Sequence, residues 1–153
     1  MVMEQRLSVI TLGVADLPRS RAFYEQGLGW AVGSAEEQVV FFQLNGIILA
    51  LYPREALAVD AGLPAEGSGF AGIAGIAGIT LAHNVRRHEE VDEVLVTAES
   101  AGGRVVKPAQ VTFWGGYSGY FADPDGHLWE VAHNPFWTLD SAGDVSLAKG
   151  QGE

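Results

Sequence analysis

The feature that most constrains this chain is a succession of strand and helix signals that runs through it twice. Residues 7 to 14 (Leu-Ser-Val-Ile-Thr-Leu-Gly-Val) read as a strand from their β-branched content and rough alternation. Ile10, Leu12 and Val14 share one face of it; Val9, Thr11 and Gly13 share the other. Asp16 then caps a helix with Pro18 in its first turn, and Gly27 or Gly29 stops it. Three short strands are predicted next, over Trp30 to Ser34, Gln38 to Leu44 and Ile47 to Tyr52, with Asn45-Gly46 as the hairpin turn between the last two. The order begins again with a strand over Gly78 to Asn84 and a helix over Arg87 to Ala101, whose Val91, Val94, Leu95 and Ala98 recur with helical period. Gly102-Gly103 end that helix. Strands follow over Arg104 to Phe113, Tyr117 to Ala122 and His127 to His133, the last two joined by the turn Asp123-Pro124-Asp125-Gly126.

The reading is therefore α+β, with β-α-β-β-β occurring twice in a single domain, residues 1–153. The first module takes residues 6–53, a linker 54–76, the second module 77–135 and a C-terminal tail 136–153. The linker is rich in Gly, Ala and Pro, and its Gly-Ile-Ala triplets lead into a strand, whereas a phosphate-binding glycine loop leads into a helix. Aligning the first strands pairs Val9 with Gly78 and Thr11 with Thr80. Duplicated units must cover each other's exposed sheet faces, so the space between them is the expected ligand site.

Composition narrows the partners. At 48% apolar and 18% charged, the chain can bury a core. A formal charge of -10 with only 9 Lys and Arg argues against nucleic acid and anionic membranes, since both need a basic surface. There are no cysteines, which excludes disulfides, thiolate ligands and Cys nucleophiles. No signal peptide and no transmembrane run is expected, and a cytoplasmic location fits.

Two blocks of residues carry a resemblance. The first is Val14-Ala15-Asp16-Leu17, Ser20, Phe23-Tyr24 and Leu28-Gly29. The second is Trp114-Gly115-Gly116-Tyr117-Ser118-Gly119-Tyr120-Phe121 followed by Asp123-Pro124-Asp125-Gly126-His127-Leu128-Trp129-Glu130-Val131. In this order and at this distance they resemble the vicinal oxygen chelate superfamily, which includes glyoxalase I, extradiol dioxygenases and bleomycin-resistance proteins. The resemblance covers roughly residues 7 to 135. It implies paired βαβββ modules forming a curled mixed sheet around a central cleft, and homodimerisation, sometimes with sites shared between chains.

Metal-using members of that superfamily place His, Gln or Glu on the first and last strand of each module. Carried onto this chain, those positions fall on Val9, Leu49, Gly78 and Glu130. Three of the four cannot bind a metal through a side chain, and one carboxylate does not hold a divalent ion, because catalytic sites generally use about three protein ligands. No cofactor is expected; the alternative is one divalent metal ion held by ligands that this alignment misses. His83, His88, His127 and His133 lack the spacing of a ligand pair and read as edge or surface residues.

Glu130 is the one informative charge. Strand parity puts it with Leu128 and Ala132, opposite Trp129 and Val131, and its cross-strand partner is expected near Gly119. It is a candidate general base or polar anchor. Thr11 and Thr80 are candidate hydrogen-bonding groups on the two first strands. Phe41, Tyr52, Phe113, Trp114 and Tyr117 could supply flat apolar walls, the last two beside the mobile pair Gly115-Gly116. Two functions fit these residues. One is a metal-independent protein that binds a small aromatic or apolar molecule. The other is an enzyme, a lyase, isomerase or extradiol-type dioxygenase, using Glu130 or a recruited metal.

Overall fold

In the first module the chain turns from strand to helix at Asp16, whose carboxylate accepts a hydrogen bond from the Arg19 amide at 3.1 Å. That bond satisfies one of the donors a helix start leaves open. The computed structural model describes residues 3–64 and 78–147. Strand β1 (Val9–Val14) leads into α1 (Leu17–Ala22), which widens into a π turn over Phe23–Gly27. The wider turn carries Phe23 and Tyr24 inward, where they are almost wholly buried. Strands β2 (Ser34–Ala35), β3 (Val40–Gln43) and β4 (Ile48–Pro53) follow. Gly46 supplies the positive φ that the hairpin turn requires. Helix α2 (Arg54–Asp60) comes next.

The second module repeats the plan with β5 (Leu81–Asn84), α3 (His88–Ser100), β6 (Arg104–Val111), β7 (Tyr117–Ala122) and β8 (Leu128–His133). The tail adds a small hairpin of β9 (Thr138–Leu139) and β10 (Val145–Ser146). Each module is one four-stranded mixed sheet, ordered β1-β4-β3-β2 in the first and β5-β8-β7-β6 in the second. In both, the first and last strands pair in parallel, because a helix carries the chain over between them, and the remaining pairs are antiparallel.

Three local expectations are revised. Trp30 to Ser34 forms no long strand; only Ser34–Ala35 pairs, since Trp30 leaves the sheet to pack inside. The strand expected from Gly78 starts at Leu81. Residues 54 to 60, read as linker, are helical: Arg-Glu-Ala-Leu-Ala-Val-Asp contains good helix formers, and Ala58 is buried against the body. The Gly-Ile-Ala triplets lie outside the described residues. Among the described residues, no helix is long and apolar enough to cross a membrane.

One core serves both modules. Trp30 sits with its ring 5.7 Å from Phe42 of the first sheet and 6.0 Å from Trp129 of the second. Tyr24 likewise lies between Phe42 and Trp129, and Phe23 meets Phe121 at 6.1 Å. The helix-bearing faces of the two sheets are therefore turned toward each other across a shared aromatic layer. Their opposite faces look away from one another.

The second sequence block acts as the clasp between modules. The Asp123 carboxylate accepts the Tyr24 hydroxyl at 2.6 Å and the Asp125 and His127 amides at 2.9 Å each. The Tyr24 oxygen in turn accepts the Trp129 indole N–H at 3.1 Å. Asp125 accepts the Ala15 amide at 2.8 Å and pairs with Arg19 at 3.2 Å, while the His127 Nε2–H donates to the Gly13 carbonyl at 2.8 Å. Burial, chiefly, holds the Asp123 carboxyl above its ordinary value, and burial with the neighbouring Asp123 charge pushes the Tyr24 phenol well above its own.

Candidate functional site

Alternation along each strand sorts the residues of the outer faces. On β1, Leu12 and Val14 are buried in the core, whereas Val9 and Thr11 are exposed. Thr11 pairs with Ala50, and Ala50 pairs with Phe41, so the three form one row across the outer face of the first sheet. Tyr52 stands one step further along beside Gly13. There α2 folds back over the sheet: a Cβ on Gly13 would lie 3.0 Å from the Cβ of Arg54, so the bare backbone is what admits the helix. Thr11, Phe41 and Tyr52 thus share one face, closed at one end by α2.

On the second sheet, Trp129 and Val131 point inward, as strand parity predicts, and Glu130 points out. Its neighbours in the row are Ala82 on β5 and Tyr120 on β7, with Lys107 beyond. Glu130 is half-buried there. Burial and then the Glu130 charge raise the Tyr120 phenol above its ordinary value. Gly119, the partner expected from sequence, pairs instead with Val131 and faces α3. The carboxylate therefore stands beside a phenol.

The remaining sequence candidates fall elsewhere. Tyr117 pairs with His133 on the helix side, stacks on His88 at 4.7 Å and donates its hydroxyl to the Asp92 carboxylate, so it is turned away from Glu130. Phe113 is fully exposed and walls nothing within one chain. The ring of Trp114 lies over Gly116 of its own loop, where a Cβ would collide with it. Thr80 is exposed and precedes the strand that was expected to hold it. Tyr120 was missed, although the same parity that exposes Glu130 exposes it. His83 shares the inner face with Trp129 and Val131; burial lowers its pKa, against the opposing charge of Glu90.

The superposed plan of the modules also corrects the equivalences. The helix caps are Asp16 and Arg87, which matches Val9 to Thr80 and Thr11 to Ala82. With that match, the registers Thr11–Ala50 and Ala82–Glu130 make Ala50 the counterpart of Glu130. Leu49 is in register with Ile10 on the inner face, whereas Ala50, also buried, is in register with Thr11 on the outer one. The four positions where relatives carry metal ligands are therefore Val9, Ala50, Thr80 and Glu130. One carboxylate among two aliphatic side chains and a hydroxyl does not fit a divalent metal. Among the described residues, no three His, Asp or Glu side chains are grouped as a metal site would need.

Residues 6–131 match the family model of the glyoxalase/bleomycin resistance protein/dioxygenase superfamily. The chain belongs to this superfamily. A solved glyoxalase-related enzyme from Fulvimarina pelagi is 39% identical to it, with a TM-score of 0.85 over 94% of this chain and 99% of that one. A glyoxalase/bleomycin resistance protein/dioxygenase from Nocardioides is 22% identical, with a TM-score of 0.70 over 98% of this chain and 88% of that one. A lactoylglutathione lyase from Agrobacterium tumefaciens is 24% identical, with a TM-score of 0.67 over 90% and 100%. The last two are likenesses of fold. No curated protein matches the chain.

Proposed function

We propose that this superfamily member binds a small aromatic or apolar molecule without the metal of its metal-using relatives. The observation that carries this reading is the set of side chains at the four family positions, Val9, Ala50, Thr80 and Glu130, which offers one carboxylate where a metal needs several donors. Around those positions the outer faces present Thr11, Phe41 and Tyr52 on one sheet and Tyr120 with Glu130 on the other. Aromatic walls with a few polar groups are what small-molecule sites use. Since the two faces look apart within one chain, the closed site forms between the first sheet of one copy and the second sheet of another, in a homodimer. Titration with aromatic metabolites and antibiotics, on protein purified without chelators, tests the reading. It predicts saturable binding, no stoichiometric metal and a dimer by sedimentation at micromolar concentration. Stoichiometric metal, or no binding to any compound in a dimeric preparation, would sink it.

A second reading is favoured by the Glu130–Tyr120 pair and by the 39% identity to a glyoxalase-related enzyme. Here Glu130 acts as general base on the bound molecule, in a lyase, isomerase or dioxygenase-type reaction, with Tyr120 donating a hydrogen bond to the same substrate. Glu130→Gln should then abolish turnover of any substrate found while leaving binding within a few-fold. Retained turnover removes Glu130 from the chemistry.

A further inference from the structure

The outer faces are not the only concave surface. A cavity of about 530 Å³ opens where the modules meet along the edge of β5, walled by Trp30, Gln43 and Asn45 of the first and by His83, Asn84 and Arg86 of the second. That volume is in the range of small-molecule sites, roughly 300–1,000 Å³. A second cavity of about 250 Å³ shares Trp30, His83 and Trp129 with it and runs on beneath Leu28, Val94 and Phe121. Thr11, Ala50, Phe41, Tyr120 and Glu130 line neither. This is a different place from the family cleft.

We infer that this inter-module cavity is a second small-molecule site, selective for a planar aromatic acid. The shared wall supplies the ring contact. Trp30 and Trp129 meet at 79°, forming a corner in which a ring stacked on one indole turns its edge to the face of the other, an arrangement aromatic groups favour. The inner cavity beyond that corner is mostly apolar and takes the ring.

The mouth supplies the charge. Arg86 is exposed and donates to the Asp140 carbonyl, and among the described residues it has no carboxylate within ion-pair distance. Glu90, the acidic residue of the cavity lining, is paired with Arg87 at 3.0 Å, and the Asp144 carboxylate beside the mouth accepts from Asn45. The rim thus keeps one guanidinium with donors to spare, and a guanidinium fork pairs bidentately with a planar carboxylate. His83 adds a ring nitrogen at the junction of the two cavities. The tail hairpin crosses the same mouth: Asn45 donates to the Gly143 carbonyl at 3.0 Å and the Asp144 carboxylate at 2.7 Å, and Leu139 and Val145 form part of the lining. Arg86 and Asn45, which hold the tail, are the groups a ligand would meet on entry.

Calorimetric titration of the full chain with indole-3-carboxylate and with neutral indole tests the inference. The expected result is saturable binding of the acid at one per chain, about tenfold or more tighter than indole. Arg86→Gln, at an exposed position, should erase most of that preference and leave the affinity for indole in place. Thr97→Trp, which enters the inner cavity from the exposed side of α3, should abolish binding of both while the melting transition is kept. The inference is overturned if the acid does not bind, if its preference survives Arg86→Gln, or if binding survives in folded Thr97→Trp. Should Thr97→Trp not fold, the Arg86→Gln comparison decides alone.

Discussion

Asp123 concentrates more of the architecture than any other single residue. It is 4% exposed, and its carboxylate accepts the Tyr24 hydroxyl and two backbone amides. Asp123→Ala leaves one buried and two part-buried donors without a partner and should cost about 2–4 kcal/mol, measured by denaturant unfolding. The pH dependence has a definite sign. Because burial raises its pKa in the folded state, the folded chain holds this proton more tightly than the unfolded chain does. On this group's account, stability is full below the ordinary carboxylate pKa and falls as pH rises through the shifted value. The gap in stability between the natural chain and Asp123→Asn should therefore begin to change near the ordinary carboxylate pKa, about 4, and become flat once pH has passed the raised value. A gap independent of pH would show that the carboxyl titrates normally. Gly119 is a second such residue. A Cβ there would lie 2.7 Å from Leu95 and 2.8 Å from the Lys107 carbonyl, so Gly119→Ala should destabilise by about 1–3 kcal/mol, read from the melting temperature. Expected as the partner of Glu130, this glycine pairs with Val131 and lies under α3 instead.

At the scale of elements, most of the plan is legible because each signal is local. Asp16 capping α1, the period of α3 and the Asn45-Gly46 turn all depend on residues within a few positions of one another. Asp16→Ala should accordingly cost about 1 kcal/mol, and chemical denaturation of the full chain would detect it; an unchanged midpoint would mean the cap is replaced by solvent. Where the reading erred, a distant partner decided. Trp30 was assigned to a strand by its β propensity, but the aromatic core draws it out of the sheet. The resemblance carries the fourth-strand position of the first module onto Leu49, and nothing local in the sequence sets the register of β4 against β1. One step along a strand exchanges the faces, so the pairing of Thr11 with Ala50 moved the site residue by one and put Leu49 in the core. Tyr117 was read as a wall of the cleft, yet its partner His133 lies on the helix side.

At the scale of the whole molecule, the modules are not independent. Phe42 from one sheet and Trp129 and Phe121 from the other border the same layer around Phe23, Tyr24 and Trp30. Splitting them would expose that layer on both halves. Residues 3–64 made alone should show no cooperative unfolding transition by circular dichroism, and mixing them with residues 78–147 should restore one. A sharp transition in either half alone would contradict a shared core.

Two copies of a βαβββ unit and most of their strand boundaries were determined by the sequence, because they rest on periodicity and turn chemistry; that Glu130 is the carboxylate at a family ligand position came from the resemblance. Which way the two units face each other was decided only by the tertiary structure. The same alternating strands could have turned their outer faces together or apart, and local pattern is identical in both cases. The aromatic residues decide it, because Trp30 and Tyr24 leave water by packing against both sheets at once. That choice leaves Glu130 and Thr11 on opposite outer faces and opens a separate cavity beside Arg86.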